Sequence, residues 1–385
     1  MIPKNIAIIG ASTAGLLTAK KLADHGMDVK VFEASKQIDP TPRSLIVTGH
    51  LPKLIGPLYQ SALVNVIRRF ELYADGRVAQ ISLKQPDLVI ERSKLLHELA
   101  TQARNSGAEI FTNHRFLNLK PNGKQLAFSI ANNGNGNPVE EYSDVLVGAD
   151  GTFSRVAKSG GWPKPDTAPL IQAIVKLPEG MSSDTTRVWF LPEDTPFFYW
   201  LIPHSSTHGV LGLIADEKQK GRRDLEHFIE KKNLETFEFQ SAHIPIYNKW
   251  IPIHRKVGKN DVYLVGDAAR QVKASTVGGV VTGFRGALSV VGSILNNRKD
   301  QNLRQLRREL DLHSIIRKGL QGFSQNDYVR LFDMLNSSTM RTLGSFNRDE
   351  TPRLLFHLLL AQPKLLLIGL RSILLNRFPF NRSSR

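Results

Sequence analysis

The first 33 residues constrain the fold more than any other part of the chain. Residues 5–10 have the apolar, β-branched side chains of a buried strand, and residues 14–25 carry apolar side chains at helical spacing. Gly26 ends the helical pattern, and residues 28–33 give a second strand pattern. This order of strand, helix and strand predicts a βαβ unit and therefore a parallel sheet.

The turn between the first strand and the helix reads Gly10-Ala11-Ser12-Thr13-Ala14-Gly15. Gly10 allows the tight turn, Gly15 allows the helix to pack closely on the strand, and the helix N-terminus offers N–H groups to a pyrophosphate. Ser12 replaces the usual middle glycine, and its hydroxyl can bond to phosphate. Glu33 closes the second strand, where an acid accepts hydrogen bonds from ribose hydroxyls. Together they predict a dinucleotide site; the alternative is an ordinary glycine turn with a solvated glutamate.

Two later apolar strand patterns each end at an aspartate. Asp150 follows residues 145–149, and Asp267 follows residues 262–265 with one glycine between. Ligands bind at the carboxyl ends of the strands in open α/β sheets, so either carboxylate can face a bound cofactor. The alternative for each is a turn or a helix cap. Gly279 and Val280 open a further helix, whose N–H groups can face the pyrimidine edge of a flavin.

Four elements in chain order resemble the glutathione-reductase-type FAD enzymes of the aromatic-hydroxylase and geranylgeranyl-reductase branch. They are GASTAG with Glu33, the arginine of IERS (Arg92), GADGTFSRV, and VGDAARQVKASTVGGVVTGFRGA, and they span about residues 1–295. The resemblance implies FAD as cofactor, with the backbone near Phe116 on its adenine side. The predicted cofactor-binding residues are Gly10, Ser12, Ala14, Gly15, Glu33, Arg92, Phe116, Asp150, Asp267, Gly279 and Val280.

The fold class that follows is α/β, with an FAD-binding Rossmann-like domain of the glutathione-reductase type, an inserted antiparallel-sheet substrate domain and a helical C-terminus. We expect a discontinuous FAD-binding domain at 1–40, 90–160 and 255–295. The substrate domain is expected at 41–89 and 161–254, and a helical, basic region at 296–385.

Two branches of this superfamily compete. GDAARQVKASTVGGV is similar to the geranylgeranyl-reductase pattern GDAAGQVKxTTGGGI, with Arg270 in place of a glycine and Val277 interrupting the glycine run. Residues 198–203, FYWLIP, resemble the aromatic strand of those reductases. The turn GASTAG and the sequence Pro42-Arg43-Ser44 look more like flavin monooxygenases.

The resemblance implies an FAD-dependent reductase of prenyl-chain double bonds in a lipid or isoprenoid. The alternatives are an FAD-dependent monooxygenase of an apolar or aromatic substrate and a non-catalytic flavin-binding partner protein. The aromatic surface of Phe198 and Trp200, with Pro203, is the predicted substrate slot; the alternative for its alternate side chains is an ordinary core. The electron donor is expected to be NAD(P)H or a redox protein, and the sequence assigns no catalytic residue.

Charge and composition limit the classes of metal site and binding partner that the chain can have. With no cysteine, the chain lacks disulfides, thiolate metal sites and thiol catalysis, and its scattered histidines predict no metal site. The net charge of +16 calls for an acidic partner. Six of the basic residues lie in the leucine-rich, acid-free residues 351–385. We therefore expect peripheral contact with an anionic membrane rather than nucleic acid, and a cytoplasmic protein at the inner face of the membrane.

Overall fold

The computed structural model describes residues 4–38, 41, 43–132, 137–296 and 301–364. The strands are β1 (Asn5–Ile9), β2 (Asp28–Phe32), β3 (Ser44–Val47), β4 (Leu63–Ala74), β5 (Arg77–Glu91), β6 (Glu109–Phe111), β7 (His114–Asn122), β8 (Gln125–Asn132), β9 (Val139–Ser143), β10 (Val145–Gly148), β11 (Asp166–Lys176), β12 (Thr185–Trp189), β13 (Tyr199–Pro203), β14 (His208–Ile214), β15 (Thr236–Ile246), β16 (His254–Val257) and β17 (Asn260–Leu264). The α-helices are α1 (Thr13–Ala23), α2 (Leu51–Ile55), α3 (Arg92–Asn105), α4 (Arg155–Ser159), α5 (Lys218–Lys231), α6 (Val280–Asn296), α7 (Gln301–Leu320), α8 (Gln325–Asp333), α9 (Ser337–Ser345) and α10 (Thr351–Ala361).

The first sheet has the strand order β16-β17-β10-β1-β2-β6, and its neighbours are parallel except for β16 and β17. Ile6, Ile8 and Val147 are fully buried, as expected for strands that carry continuous apolar side chains. Helix α1 connects β1 to β2, so the predicted βαβ unit is present. Because the strands are parallel, the carboxyl ends of β1, β10 and β17 meet at one edge of the sheet.

The second sheet has the order β15-β11-β14-β13-β12-β4-β5-β3 and is antiparallel except where β12 runs parallel to β4. Alternate side chains of β13 point to opposite faces. Tyr199 is fully buried against α5, where its ring stacks on Phe228 with centroids 4.4 Å apart. Trp200 packs on the other face with Ile67 and Ile214. The aromatic run is therefore divided between a core and a second face.

The third sheet, β7-β8-β9, is a small antiparallel unit beside the first. Residues 133–136 read NGNG, which predicts a turn between β8 and β9, but they lie outside the described residues. Helices α7 to α10 follow the first sheet, as the helical pattern after residue 296 predicts. Helix α9 approaches β5 closely, since a Cβ at Gly344 would lie 2.0 Å from the carbonyl oxygen of Ser82. Within the described chain, no helix is long and apolar enough to cross a membrane.

The apolar spacing of residues 223–232 predicts a helix there, but α5 already begins at Lys218. Its first turn is polar and so lacks the apolar spacing that marks a helix. Gly221 instead allows this turn to pack closely on the preceding segment, since a Cβ there would lie 2.4 Å from the Cβ of Ala215. Tertiary packing, rather than periodicity, sets the start of this helix.

Candidate functional site

A cavity of about 720 Å³ lies at the edge where β1, β10 and β17 end. The turn from β1 into α1 forms part of its wall. Gly10 has a φ of +104°, and a Cβ there would lie 2.5 Å from the carbonyl oxygen of Ala149. A Cβ at Gly15 would lie 2.3 Å from the carbonyl oxygen of Gly10. Both positions therefore require glycine.

The first turn of α1 directs its N-terminus at this cavity. Ser12 is the N-cap, and its hydroxyl oxygen accepts a hydrogen bond of 3.2 Å from the backbone N–H of Gly15. The hydroxyl hydrogen of Ser12 stays available to a ligand, because this bond uses only an oxygen lone pair. The remaining N–H groups of the first turn and the positive end of the helix dipole favour an anion here.

Glu33 lies at the rim of the same cavity, directly after β2. Its Oε2 accepts a hydrogen bond of 2.8 Å from the N–H of Ala11, and its Oε1 accepts one of 2.8 Å from the N–H of Ser35. Each carboxylate oxygen has a further lone pair. The two backbone bonds thus fix the carboxylate while leaving it able to accept two hydroxyl donors.

Asp150 lines the cavity, but its carboxylate already has partners. It accepts hydrogen bonds from the Ser154 hydroxyl at 2.5 Å, from the Arg155 N–H at 2.7 Å and from the Val156 N–H at 3.1 Å. Burial raises the pKa of Asp150, and these bonds oppose the rise. Asp150 therefore stabilises the start of α4, which is the helix-cap alternative for this residue.

Asp267 differs from Asp150 because its carboxylate accepts no hydrogen bond from any described residue. The side chain is half-buried and lines the cavity. Burial raises the pKa of Asp267, and the nearby charge of Arg92 opposes the rise. A carboxylate placed like this needs a donor that the described chain does not supply.

The loop before α6 completes this wall. Gly279 and Val280 line the cavity, and a Cβ at Gly279 would lie 3.4 Å from Oδ1 of Asp267. Val277 has a φ of +58°, in the left-handed region that a β-branched residue rarely adopts. Its N–H donates to the carbonyl oxygen of Lys273 at 2.8 Å. Arg270 also has a positive φ, of +57°. The loop therefore keeps a glycine-type conformation at both positions that depart from the reductase pattern.

Of the predicted cofactor-binding residues, all but Gly15 line this cavity. Gly15 lies behind the wall, where it allows α1 to approach β1. Arg92 reaches the cavity from the first turn of α3, and Phe116 from β7. The carbonyl oxygen of Phe116 accepts a hydrogen bond of 3.4 Å from Arg155.

A second cavity of about 430 Å³ adjoins the first. Phe198 and Trp200 line it, and Leu45, Val277 and Gly279 border both cavities. Pro203 does not line it, because it ends β13 beyond the cavity, where its carbonyl oxygen accepts a hydrogen bond from Asn65 at 2.9 Å. Two of the three residues predicted for a substrate slot thus line the second cavity.

A buried polar network lies beside this second cavity. Lys273 forms an ion pair with Asp349, which also accepts a hydrogen bond from the hydroxyl of Thr48. The pKa of Asp349 lies at about 2, because Lys273 and these hydrogen bonds outweigh its burial. The network joins the loop before α6 to the segment before α10.

His313 continues the network. Its Nδ1 lies 2.6 Å from the Ser275 hydroxyl, and its Nε2 lies 2.9 Å from the Thr351 hydroxyl. Burial, helped by the charge of Lys273, lowers the pKa of His313 to about 3. The imidazole is therefore neutral at physiological pH. Within the described residues, no group of three or more His, Asp or Glu side chains could hold a metal ion.

Residues 4–297 match the family of FAD binding domains. The chain belongs to the FAD-binding domain family. FAD is accordingly the cofactor, and the first cavity fits it. The carboxylate of Asp267, which has no donor among the residues that the structure describes, and the helix N-terminus at Ser12 supply groups for hydroxyl and phosphate oxygens. The glycine positions of the turn let the backbone approach the ligand.

Named relatives and solved structures agree with this family. The chain is 26% identical over 310 residues to digeranylgeranylglycerophospholipid reductase of Methanothrix thermoacetophila, covering 76% of this chain and 77% of the relative. It also resembles the structure of a geranylgeranyl bacteriochlorophyll reductase-like protein from Thermoplasma acidophilum, with a TM-score of 0.79, 18% identity, and coverage of 96% and 99% of the two chains. A flavin-dependent monooxygenase solved with FAD and substrate has a TM-score of 0.64 at 15% identity, covering 94% of this chain and 72% of its own. The structural likenesses show a shared fold, and the predicted fold class is confirmed.

The sequence analysis missed several buried polar residues of the C-terminal region, among them His313 and Arg317 on α7 and Asp349 before α10. A signal for two of them was present in α7. Leu306, Leu310, His313 and Arg317 recur at spacings of four, three and four residues and are all buried. Polar residues on the apolar stripe of a helix mark a site that needs partners or a ligand.

Proposed function

We propose that this protein is an FAD-dependent reductase of carbon–carbon double bonds in prenyl chains. The observation that carries the proposal is the second cavity, which is lined largely by apolar and aromatic side chains and shares its wall with the cofactor cavity. Such a cavity suits an apolar chain. The reductase named among its relatives acts on a prenyl lipid according to its name, which supports the same substrate class.

The cofactor contacts that we propose follow from the geometry of the first cavity. The start of α1 and Ser12 hold the pyrophosphate, and Glu33 accepts hydrogen bonds from the ribose. Asp267 accepts them from the ribityl chain. The N–H groups at Gly279 and Val280 face the pyrimidine edge of the flavin.

The remaining predicted cofactor residues have supporting roles in this proposal. Arg92 faces Asp267, Phe116 lies on the adenine side, Asp150 fixes the wall beside α4, and Gly10, Ala14 and Gly15 shape the turn. The proposed FAD-binding domain keeps the expected ranges 1–40, 90–160 and 255–295. The substrate domain is proposed at 41–89 and 161–254, with the helical region at 296–385.

Reduction of each double bond adds one hydride and one proton to the chain, and the proton comes from water or an acidic group. When bound and reduced by NAD(P)H or a redox protein, FAD supplies the hydride. Phe198 and Trp200 hold the chain against the shared wall and exclude water from it. Tyr199 has no such role, because it is buried on the other face of the sheet.

Product mass tests the proposal. FAD-loaded protein is reduced without oxygen and given geranylgeranyl phosphate, and we expect products that gain one hydrogen pair for each reduced bond. A parallel incubation with NADPH in air tests the monooxygenase alternative, which predicts the gain of an oxygen atom. An unchanged substrate in both incubations would favour the non-catalytic alternative and contradict the proposal.

A substitution in the second cavity tests whether the reaction takes place there. Phe198→Trp narrows the second cavity, so we expect slower formation of reduced product with unchanged FAD content. Phe237→Trp is the matched control, because Phe237 is largely exposed on β15. Equal rates for both variants would separate the reaction from this cavity.

We also propose peripheral contact with an anionic membrane. Helix α10 exposes Phe356 to 62% and Leu360 to 66%, one turn apart on the helix surface. The basic residues at 371–385 lie outside the described residues. An exposed apolar pair that basic residues follow in the sequence suits the surface of an anionic bilayer.

Vesicle sedimentation tests the membrane proposal. The protein should sediment with phosphatidylglycerol vesicles and much less with phosphatidylcholine vesicles. Phe356→Ser with Leu360→Ser should weaken sedimentation, while Phe237→Ser, an exposed aromatic on β15, should not. Equal sedimentation with both lipids, or no effect of the double variant, would contradict the proposal.

A further inference from the structure

Arg317 is a buried cation on the wall of the second cavity. It lies on α7 and is only 5% exposed. Its Nη1 donates a hydrogen bond of 2.6 Å to the carbonyl oxygen of Pro196, and its Cζ lies 3.4 Å from the ring centroid of Phe197. Its Nε and Nη2 are shielded from solvent and have no hydrogen-bond partner among the described residues. One edge of the guanidinium is therefore unused.

The charge of Arg317 also lacks an ion pair among the described residues. Two other partly buried arginines have one: Arg285 pairs with Glu309 at 2.5 Å, and Arg348 pairs with Asp87. Burial lowers the pKa of Arg317 to about 10, so the side chain is still charged at neutral pH. A buried charge without a partner is costly, and a ligand anion would remove that cost.

Tyr328 of α8 lines the same cavity. Its ring is 3% exposed and stacks on Phe190, with centroids 4.8 Å apart. No described residue forms a hydrogen bond with its hydroxyl. Burial raises the pKa of Tyr328, and the positive charge of Arg317 opposes this rise. Arg317 and Tyr328 thus add two sets of unused donors to a cavity that is otherwise mainly apolar.

We propose that Arg317 and Tyr328 bind an oxyanion at the end of the substrate's apolar chain. Neither residue borders the cofactor cavity, whereas Val277 and Gly279 border both. A chain held at Arg317 by its charged end therefore extends towards the shared wall. The planar guanidinium matches a phosphate or carboxylate with two parallel hydrogen bonds. This inference rests on the proposed function and narrows the substrate to prenyl chains that carry a phosphate or carboxylate.

Calorimetry on the FAD-loaded, oxidised protein tests this site without turnover. The ligands are geranylgeranyl phosphate and geranylgeraniol, which differ only in charge at the chain end. Wild-type protein should prefer the phosphate. Arg317→Met should lose at least about 30-fold in affinity for the phosphate and change little towards the alcohol. Arg308→Met, an exposed substitution on the same helix, should change neither affinity.

Two further variants keep the test decisive if Arg317→Met fails to fold. Arg317→Lys retains the charge but not the planar guanidinium with its two parallel donors, so it should keep only part of the preference for the phosphate. Tyr328→Phe should weaken phosphate binding by about 2- to 12-fold. Digeranylgeranylglycerol phosphate, tested beside the single-chain phosphate, shows which source of oxyanion the site takes.

The outcomes separate this inference from the proposed function. If neither geranylgeranyl ligand binds the wild-type protein, the proposed function fails. If both bind but their affinity ratio is the same in wild type, Arg317→Met and Arg317→Lys, only the oxyanion site fails. If inorganic phosphate alone competes as well as geranylgeranyl phosphate, the apolar chain is irrelevant and the inference is again overturned.

Discussion

Replacing Asp267 by alanine should lower the affinity for FAD by about 10- to 150-fold, since hydrogen bonds to a charged group each contribute about 1.5–3 kcal/mol. The free energy of unfolding of the FAD-free protein should stay the same or rise. This follows because the half-buried carboxylate has no hydrogen-bond donor among the described residues. Flavin titration and urea unfolding of the FAD-free protein measure the two quantities.

Asp150→Ala is the matched control, because Asp150 also follows a strand, β10, but accepts hydrogen bonds from the first two N–H groups of α4. It should lower the free energy of unfolding by about 1–2 kcal/mol with or without FAD. The two aspartates are thus expected to respond in opposite ways. If Asp267→Ala keeps wild-type FAD affinity, the proposed role of this carboxylate is wrong.

The parts of the site that could be predicted from sequence are local. The turn from Gly10 to Gly15 is specified by residues that are neighbours in the chain, and so is the position of Glu33 after β2. Strand–turn–helix units place such residues at the carboxyl edge of the sheet, and this placement does not depend on how the other elements pack. The order of these units was therefore enough to bring distant motifs to one cavity.

Asp150 shows the limit of that reasoning. Its motif and that of Asp267 both place an acid after a buried strand. Only the structure distinguishes them, because the chain turns back after Asp150 and brings the N–H groups of Arg155 and Val156 to its carboxylate. After Asp267 the chain makes a short turn that ends at Arg270, whose φ is +57°, and no N–H group of the described residues donates to the carboxylate.

The polar network could not be predicted, because its partners are far apart in the sequence. Lys273 and Asp349 are separated by 76 residues, and Thr48 and Asp349 by 301. Lys273 lies within the motif GDAARQVKASTVGGV, but neither this motif nor the sequence around Thr48 and Asp349 indicates that the three side chains meet. The long strands β4 and β5 and helices α7 to α10 form much of the second cavity, so its polar lining depended on their packing.

Breaking the buried ion pair should have the largest effect on stability. Lys273→Met leaves Asp349 buried without its counter-charge, so the free energy of unfolding should fall by about 3–5 kcal/mol at neutral pH. Lys176→Met is the matched control, since Lys176 and Glu235 are 59% and 61% exposed and such pairs contribute at most about 1 kcal/mol. The double variant Lys273→Met with Asp349→Leu should recover most of the loss, because it removes the stranded charge as well.

The pH dependence of the free energy of unfolding tests whether the buried carboxylate of Asp349 causes the stability loss in Lys273→Met. In the wild type the pKa of Asp349 is held at about 2, below its unfolded value of about 3.9, so its contribution is present above pH 3.9 and is lost as pH falls towards 2. Without Lys273, burial instead raises the pKa of Asp349 in the folded state. The variant therefore regains stability relative to wild type as pH falls from about 7 to about 4, since protonation removes the buried charge. Urea unfolding across this range measures the difference; a deficit that stays constant or grows on acidification would place its origin outside Asp349.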